Sequence, residues 1–364
     1  VMNKYLNIVD IAPVDGCDII STIDVGMQDI CEKALIDKLK EINASVGVAV
    51  LMEVQTGEVK AIVNMTKAGD GNYYEMRNNA ISDMLEPGST FKIITSTAAL
   101  EAGAVSLNDT FYCPGFKIVE DRRIRCHKAG GHGSETFVQG VQNSCNPVFM
   151  EVGARLGVGG MFRGMRQLGI LSKTNIDVPG EASTIMHQQK NVGAVELATM
   201  SFGQSFQLSP IRLLTSVSAV INGGNSIVPH FGVSIENTSN GSVRKLSYPQ
   251  KKKIVSKETS ENMKMILESV VTEGSGSKAS VEGYQVGAKT GTSEKLPRRS
   301  GKYIASCIGF APADDPKVLA VVLIDEPEGI YYGGTIAAPV VSELLDNALP
   351  YLGVKKTPQK QTKK

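Results

Sequence analysis

Three short polar strings, far apart in the chain, restrict this sequence more than any other feature. They are Ser89-Thr90-Phe91-Lys92, Ser144-Cys145-Asn146 and Lys289-Thr290-Gly291-Thr292. Together they supply a hydroxyl nucleophile, two ammonium groups, a second hydroxyl and a carboxamide. That set suits acyl transfer through a serine ester, in which an activated hydroxyl attacks a carbonyl carbon. A fold that uses all three strings must bring distant segments to one cleft.

The first two strings are not specific by themselves. Ser-x-x-Lys and Ser-x-Asn recur in this chain, at Ser242–Lys245, Ser275–Lys278, Ser106–Asn108 and Ser260–Asn262. A lone match is most simply a surface serine near a lysine. We interpret the copy at Ser275 as part of a flexible glycine-serine loop, which could not hold a nucleophile in place. The local context of each string therefore decides which copy carries chemistry.

Ser89 has the context that the other copies lack. Glu86-Pro87-Gly88 before it is a turn signal, and the run from Thr90 to Leu100 is apolar and free of glycine and proline. This pattern predicts a buried helix that begins at or just after Ser89, with Lys92 one turn further on and able to reach the serine. Burial and the positive helix end would both lower the pKa of Lys92 towards that of a useful base. A capping serine beside a solvated lysine is the structural alternative.

The other two strings also lie at the ends of predicted elements. Ser144 follows a predicted helix at Thr136–Val141, and Asn146-Pro147 should break or bend the chain after it. Ser144 could then pass a proton while Asn146 holds Lys92 or a substrate amide. The third string ends a β-run from Tyr284 to Ala288. At the edge of a sheet, such a strand can bind an extended peptide by main-chain hydrogen bonds.

With these residues in place, the chain resembles the transpeptidase domain of a class B penicillin-binding protein. The resemblance extends over nearly the whole sequence, and the segment Gly130–Asn146 is most similar to sporulation- and elongation-type members from Gram-positive bacteria. The matching segments beyond the three motifs are Ser21–Asp24, Met52–Val59, Ser201–Gln204, Ile221–Gly224 and Tyr331–Pro339. One departure is Cys145 at the middle of the second motif, which could place a thiol beside the cleft.

The resemblance implies a role for each motif residue. Ser89 is the expected nucleophile, Lys92 its general base and Ser144 the proton relay to the leaving amine. Asn146 is expected to orient Lys92 and the substrate, and Lys289 to anchor Ser144 and the substrate carboxylate. The expected substrate-binding residues are those that complete the third motif, Thr290, Gly291 and Thr292, and the oxyanion hole is the backbone N–H pair of Ser89 and Thr292.

The implied activity is D,D-transpeptidation of peptidoglycan stem peptides, inhibited by β-lactams and requiring no catalytic cofactor. A glycosyltransferase is the expected partner. Three alternatives share the same strings: a serine β-lactamase, a β-lactam sensor that is acylated once, and an inactive scaffold. The long stretch between Ser144 and Lys289 favours the transpeptidase over the β-lactamase. We find no carboxylate-bearing loop that would activate a deacylating water.

A cysteine-histidine group indicates a possible second site. The segment Phe111–Lys128 predicts a single hairpin with its tip near Glu120-Asp121, which would place Cys113 opposite Cys126. Facing side chains of this kind suit a disulfide or two thiolate metal ligands. Gly130-Gly131 would let His132 return as a third ligand, and no fourth ligand is evident. Structural zinc, a disulfide and free thiols remain three open alternatives.

Composition limits the remaining functions. The 364 residues carry a formal net charge of +1, and no basic stripe with interleaved aromatics is present, so we expect no nucleic-acid partner. The basic loop from Ser293 to Lys302 could steer an anionic substrate or be simply solvated. We find no apolar run long enough to cross a membrane. The resemblance implies an extracytoplasmic domain, anchored by an N-terminal segment that precedes residue 1.

The element pattern predicts an α/β fold of the penicillin-binding-protein and β-lactamase type. It comprises a mixed, mainly antiparallel sheet flanked by helices, plus an all-helical lobe within about 70–225. We expect residues 1–25 to be a lead-in, 26–353 the transpeptidase domain and 354–364 a disordered basic tail. The predicted elements are helices at 26–43, 257–273 and 337–350, a hairpin at 46–64 and strands at 284–290, 303–311 and 317–325.

Overall fold

The computed structural model describes residues 15–356. Residues 1–14 of the predicted lead-in and 357–364 of the predicted tail lie outside the described range. The helices are α1 Val25–Glu41, α2 Asn79–Ser82, α3 Lys92–Glu101, α4 Phe137–Gln142, α5 Asn146–Gln167, α6 Ala194–Met200, α7 Pro210–Ile221, α8 Lys257–Thr272, α9 Gly333–Ile336 and α10 Ala338–Tyr351. The strands are β1 Asp18–Ser21, β2 Val46–Glu53, β3 Val59–Lys67, β4 Tyr73–Tyr74, β5 Thr110–Cys113, β6 Phe116–Val119, β7 Arg122–Arg125, β8 Gly133–Thr136, β9 Gly232–Glu236, β10 Val243–Lys245, β11 Gly287–Glu294, β12 Tyr303–Ala311 and β13 Val318–Asp325.

A six-stranded sheet in the order β11-β12-β13-β2-β3-β4 forms the centre of the fold. Every strand pair in this sheet is antiparallel, so the predicted mainly antiparallel sheet is confirmed. The parallel pair that a mixed sheet would contain is not found among the described strands of this sheet. The sheet joins strands from both ends of the chain, because β13 pairs with β2. Its central strands are apolar on both faces, as expected for a layer that is covered on both sides.

Helices cover the two faces of this sheet. Alternate residues of β2 belong to different cores: Ala49 and Leu51 pack with α1 and α10, whereas Val48 and Val50 pack with helices of the lobe. The helix α1 begins at Val25, one residue before the predicted start at 26, and the Asp24 carboxylate caps it by accepting the Met27 N–H at 3.1 Å. These two cores fix the lobe against the sheet, and the three polar strings lie at the junction.

The lobe contains more β-structure than an all-helical lobe would have. The strand β5 pairs with β8, and β6 pairs with β7 inside them, so two small nested hairpins replace the single hairpin predicted for Phe111–Lys128. Pro114 and Gly115 divide the first strand, because proline lacks the N–H a ladder needs and Gly115 has a φ of 95°. The predicted tip at Glu120-Asp121 is retained between β6 and β7.

Two further differences concern the ends of elements. The strand β11 begins at Gly287 and continues to Glu294, so the third motif lies inside the strand instead of at its end. Pro147 does not break the chain. It occupies the first turn of α5, where its missing N–H would have no helical partner anyway. Among residues 15–356, no helix is both long enough and apolar enough to span a bilayer.

Candidate active site

Ser89 lies on a short 3-10 turn, Gly88–Phe91, that leads directly into α3. Lys92 is the first residue of α3 and its side chain is fully buried, as the apolar sequence around it predicts. The turn needs glycine at position 88, since φ there is 56° and a Cβ atom would approach the Ser293 Oγ to 2.3 Å. This close approach joins the Gly88–Phe91 turn to β11, the opposite wall of the cleft.

The Lys92 ammonium bridges the first motif to the second. It donates to the carbonyl oxygen of Ser144 at 2.6 Å, to the Ser144 hydroxyl at 3.1 Å and to the Asn146 side-chain oxygen at 2.8 Å. All three donor positions of the ammonium are thereby used. Within the described residues none of these hydrogen bonds goes to Ser89, although Ser89 and Ser144 line the same cleft. Asn146 does contact Lys92, as the sequence predicts.

Lys289 reaches the same serine from the other wall. Its ammonium donates to the Ser144 hydroxyl at 2.9 Å and to the carbonyl oxygen of Thr290 at 3.0 Å. The side chain of Lys289 is fully buried. The structure therefore brings the lysines of the first and third motifs to one hydroxyl oxygen in the second.

The backbone at Ser144 is held in an uncommon conformation. Its φ is 52°, in the left-handed region that a serine rarely adopts. The end of α4 imposes this bend, because the N–H groups of Ser144 and Cys145 return to carbonyls of α4 at 3.1 and 2.9 Å. Eight non-glycine residues of the described chain have a positive φ, and Ser144 is the one among them that belongs to the three strings.

Burial governs the protonation of both lysines. Desolvation lowers the pKa of Lys92 from 10.5 to about 7, and nearby thiol and carboxyl charges offset part of this effect. Desolvation also brings the pKa of Lys289 well below its ordinary value, with a further lowering from the charge of Lys92. A neutral amine is thus accessible near pH 7, which is what a general base requires.

The third motif forms the open edge of the sheet. The strand β11 pairs only with β12 in the six-stranded sheet, so Thr290, Gly291 and Thr292 face the cleft along a free edge. The N–H of Gly333 donates to the Thr292 hydroxyl at 3.0 Å, which fixes that side chain. An edge of this kind can take an extended peptide as an additional strand.

The cleft between the two walls has a volume of about 480 Å³. Ser89, Ser144, Asn146 and the Thr290–Thr292 stretch all line it, so the structure brings together the residues that the three strings predicted. Sequence reasoning missed its other lining residues, which are His127, Ser275, Ser277, Lys278, Tyr332, Gly334 and Thr335.

The serine-lysine copy at Ser275 is therefore not the remote flexible loop that the sequence suggested. Both the N–H and the hydroxyl of Ser275 donate to the carbonyl oxygen of Gln142, at 3.0 and 2.9 Å. Gln142 lies two residues before Ser144, so this turn is fixed to the second motif. Only tertiary structure reveals the connection, because α8 and its loop are distant from Ser144 in sequence.

A second cluster lies behind the second motif. The Sγ atoms of Cys113, Cys126 and Cys145 and a ring nitrogen of His132 are all within 4.8 Å of one another. The three residues predicted from sequence are thus brought together, and Cys145 completes them as the fourth donor that was not evident. The sequence shows a cysteine in the middle of the Ser-x-Asn string, but it does not show that the Cys145 side chain points towards this cluster.

This donor set fits zinc. Three thiolates and one imidazole form a known structural zinc class, in which sulfur atoms bound at about 2.3 Å lie roughly 3.8 Å apart. The Cys126 sulfur and the His132 Nδ1 are 3.6 Å apart. A hydrogen bond between the Cys126 and Cys145 sulfurs lowers the pKa of Cys126 and raises that of Cys145. All six cysteines are free, so the disulfide alternative is not formed in this structure.

The family of the chain follows from its similarity to known proteins. The model of the penicillin-binding protein transpeptidase domain matches residues 47–346. The chain belongs to this family. The match includes all three motifs, so the family resemblance inferred from the strings is confirmed.

Individual relatives agree with this family assignment. The transpeptidase-family chain is 42% identical over 357 residues to stage V sporulation protein D of Bacillus subtilis, covering 94% of this chain and 55% of the relative. It is 32% identical to a probable peptidoglycan D,D-transpeptidase, PenA, of Neisseria meningitidis, covering 95% of this chain and 59% of the relative. The chain thus spans little more than half the length of these curated relatives.

Solved structures confirm the fold. The transpeptidase domain of penicillin-binding protein 3 from Burkholderia pseudomallei superimposes with a TM-score of 0.80 at 28% identity, covering 93% of this chain and 98% of that one. The α/β fold with a sheet flanked by helices is therefore the penicillin-binding-protein fold that the sequence predicted.

Proposed function

We propose that this chain is a peptidoglycan D,D-transpeptidase that works through a Ser89 acyl-enzyme. The observation that carries the proposal is the convergence of Lys92 and Lys289 on the Ser144 hydroxyl, in the cleft that Ser89 lines. Two buried amines with lowered pKa, a relay hydroxyl and an open strand edge supply what peptide acyl transfer needs. The names of relatives, such as the probable D,D-transpeptidase of Neisseria meningitidis, support the same reaction.

In the proposed reaction, the Ser89 hydroxyl attacks the penultimate D-Ala carbonyl and passes its proton to neutral Lys92. The carbon–nitrogen bond to the terminal D-Ala breaks, and the leaving amine takes a proton through Ser144. An amine of a second stem peptide then attacks the ester, loses its proton and frees Ser89. The backbone N–H groups of Ser89 and Thr292 would stabilise the oxyanion. Loss of one of these donors would raise the activation free energy by about 3 kcal/mol.

A β-lactam would enter the same cleft and leave a stable ester on Ser89. Within the described part of the chain, the residues that line the cleft include no aspartate or glutamate to activate a deacylating water. This favours the transpeptidase over a serine β-lactamase, which would turn over many molecules. A sensor would share the stable ester but would not use an acceptor amine.

The proposal includes a structural zinc ion held by Cys113, Cys126, His132 and Cys145. Zinc would supply a cross-link between the nested hairpins and the second motif, because Cys145 adjoins Ser144. The Glu135 carboxylate lies 3.8 Å from the His132 Nδ1, the same ring nitrogen that faces the Cys126 sulfur, so it adjoins the donor set and does not hold the far side of the ring. No catalytic step depends on this ion.

The cellular setting is also proposed by family analogy. We place the domain on the extracytoplasmic face of the membrane, with an anchor elsewhere in the full-length protein and a glycosyltransferase as its partner in wall synthesis. The similarity to a stage V sporulation protein of Bacillus subtilis is consistent with a role in spore formation.

Intact-mass spectrometry after incubation with a penicillin tests the central step. The wild-type chain should gain one penicillin mass that persists, and Ser89→Ala should gain none. Ser275→Ala is the matched control, because Ser275 begins the other serine-lysine string in the same cleft, and it should keep the adduct. Labelling that survives in Ser89→Ala, or an adduct that clears within seconds, would contradict a transpeptidase acylated at Ser89.

A further inference from the structure

The turn Ser275–Ala279 forms one end of the cleft and is rigidly attached on both sides. Ser275 is tied to Gln142 by two hydrogen bonds, and the Ser342 hydroxyl donates to the carbonyl oxygen of Ser280 at 2.6 Å. Ala279 is fully buried beneath the turn. Lys278 projects from this fixed base as an exposed side chain that lines the cleft. The backbone position of Lys278 is therefore fixed by its neighbours in the turn.

Lys278 also differs from three of the cations in the basic loop near the cleft. In the basic loop after β11, Lys295 pairs with Asp325 and Lys302 with Glu326, both at 2.8 Å. Arg298 pairs with the buried Glu86 at 2.5 Å. Within residues 15–356, no acidic side chain lines the cleft beside Lys278. The ammonium of Lys278 is thus available to an anionic group that enters the cleft.

The position of the turn assigns Lys278 to one half of the cleft. Gln142, which holds Ser275, lies two residues before Ser144, and Ser144 is the proposed relay to the amine. On the other wall, a Cβ atom on Gly334 would lie 2.9 Å from the Ser275 carbonyl oxygen and 3.8 Å from the Thr290 methyl group. The turn therefore flanks the Ser144 and Thr290 end, where the amine departs and its replacement arrives.

We propose that Lys278 is a specificity residue for the attacking amine and selects an amine carried on the same carbon as a free carboxylate. This inference rests on the proposed function. A carboxylate beside the attacking nitrogen would lie between Lys278 and the hydroxyl groups of Thr290 and Thr292. An alkyl amine, or an amino acid amide, would offer this cation nothing to bind. Because the pair is partly exposed, its effect on selectivity is modest, about fivefold.

Partition of the acyl-enzyme between two amines tests this inference. The full chain is acylated with an N-acyl-D-alanine thioester and offered D-alanine or D-alaninamide, and the ratio of amide product to hydrolysed product is measured for each. Wild type should prefer D-alanine. Lys278→Met should reduce that preference by about fivefold, and Lys278→Arg should restore most of it. Lys190→Met, an exposed lysine outside the cleft, should behave as wild type.

The possible outcomes distinguish failure of the Lys278 assignment from failure of the proposed transpeptidase function. An unchanged preference in Lys278→Met, with the acyl-enzyme still formed, would overturn the assignment of Lys278 and leave the transpeptidase in place. An equal fall for both amines would also overturn it, since that points to a structural role of the turn. A wild-type chain that never forms the acyl-enzyme would overturn the proposed function, and this inference with it.

Discussion

The ammonium groups of Lys92 and Lys289 donate to one oxygen, the Ser144 hydroxyl, at 3.1 and 2.9 Å. Both side chains have no exposed surface. Burial lowers the pKa of both amines, and the charge of Lys92 lowers the pKa of Lys289 further. The proposed general base, Lys92, thus owes its lowered pKa to its burial by the fold.

The rate of acylation should depend on pH in a defined direction. Lys92 has a pKa lowered to about 7, and only its neutral form can accept the Ser89 proton. Below pH 7 the neutral fraction of Lys92, and with it the acylation rate, should rise about tenfold for each increase of one pH unit. Above pH 7 the rate should level off. Stopped-flow acylation by a chromogenic cephalosporin from acid to mildly alkaline pH measures this, with thermal melting at each pH as the control. A rate that falls as pH rises through neutrality would exclude Lys92 as the base.

Ser144 can be tested with a pair of substitutions that separates its hydroxyl from its backbone. Ser144→Ala and Ser144→Gly both remove the relay, so each should slow transfer to an acceptor amine by roughly 10²–10³-fold. Only glycine relieves the left-handed backbone at this position, where φ is 52°. We expect the free energy of unfolding of Ser144→Gly to exceed that of Ser144→Ala by about 1 kcal/mol. Ser144→Gly should therefore melt at the higher temperature. Full transfer activity in either variant would show that the relay lies elsewhere.

Removal of the proposed zinc should loosen the second motif. We expect native mass spectrometry to find one zinc ion per chain, and Cys145→Ser to lose it and to melt about 5 °C lower or more. Cys17→Ser is the matched control, because Cys17 is exposed and outside the cluster. If Cys145→Ser holds zinc as tightly as wild type, the four-residue site is wrong.

The nucleophile turn also depends on Gly203. Its φ is 86°, and a Cβ atom there would lie 2.0 Å from the carbonyl oxygen of Gly88, next to Ser89. Gly203→Ala should therefore shift the turn and lower the acylation rate by at least about tenfold, with a loss of stability of about 1–3 kcal/mol. Gly69→Ala is the control, since Gly69 has no neighbour within 4 Å of that position. Equal acylation rates in the two variants would refute this dependence.

The sheet was largely predictable from sequence. Tyr303–Ala311 is a strand with the predicted bounds, because a run of apolar and β-branched residues between turn signals leaves little alternative. The start of β11 was placed too early, at Tyr284 instead of Gly287. Periodicity gives no indication that the tight Val281–Tyr284 turn, closed by a backbone hydrogen bond of 3.1 Å, holds those residues outside the ladder.

The arrangement of the site was predictable within one motif, and unpredictable where two distant segments share it. Residue type and spacing predict that Ser89 precedes a buried helix and that Lys92 lies in its first turn, as the structure has them. They do not show that Cys145 turns away from the cleft towards Cys113 and Cys126, because that direction is set by the left-handed bend at Ser144. The sequence likewise predicted a flexible loop at Ser275–Lys278, because the hydrogen bond that joins Ser275 to the distant Gln142 cannot be read from either segment alone.

The pairing of β13 with β2 has a consequence for how the chain folds. As synthesis proceeds from the N-terminus, β2 and β3 are complete long before β13 exists, and the whole lobe must emerge in between. Closing so long a loop makes this pairing slow, and until then the apolar edge of β2 has no neighbour. This edge is where a chaperone, or another copy of the unfinished chain, would bind first.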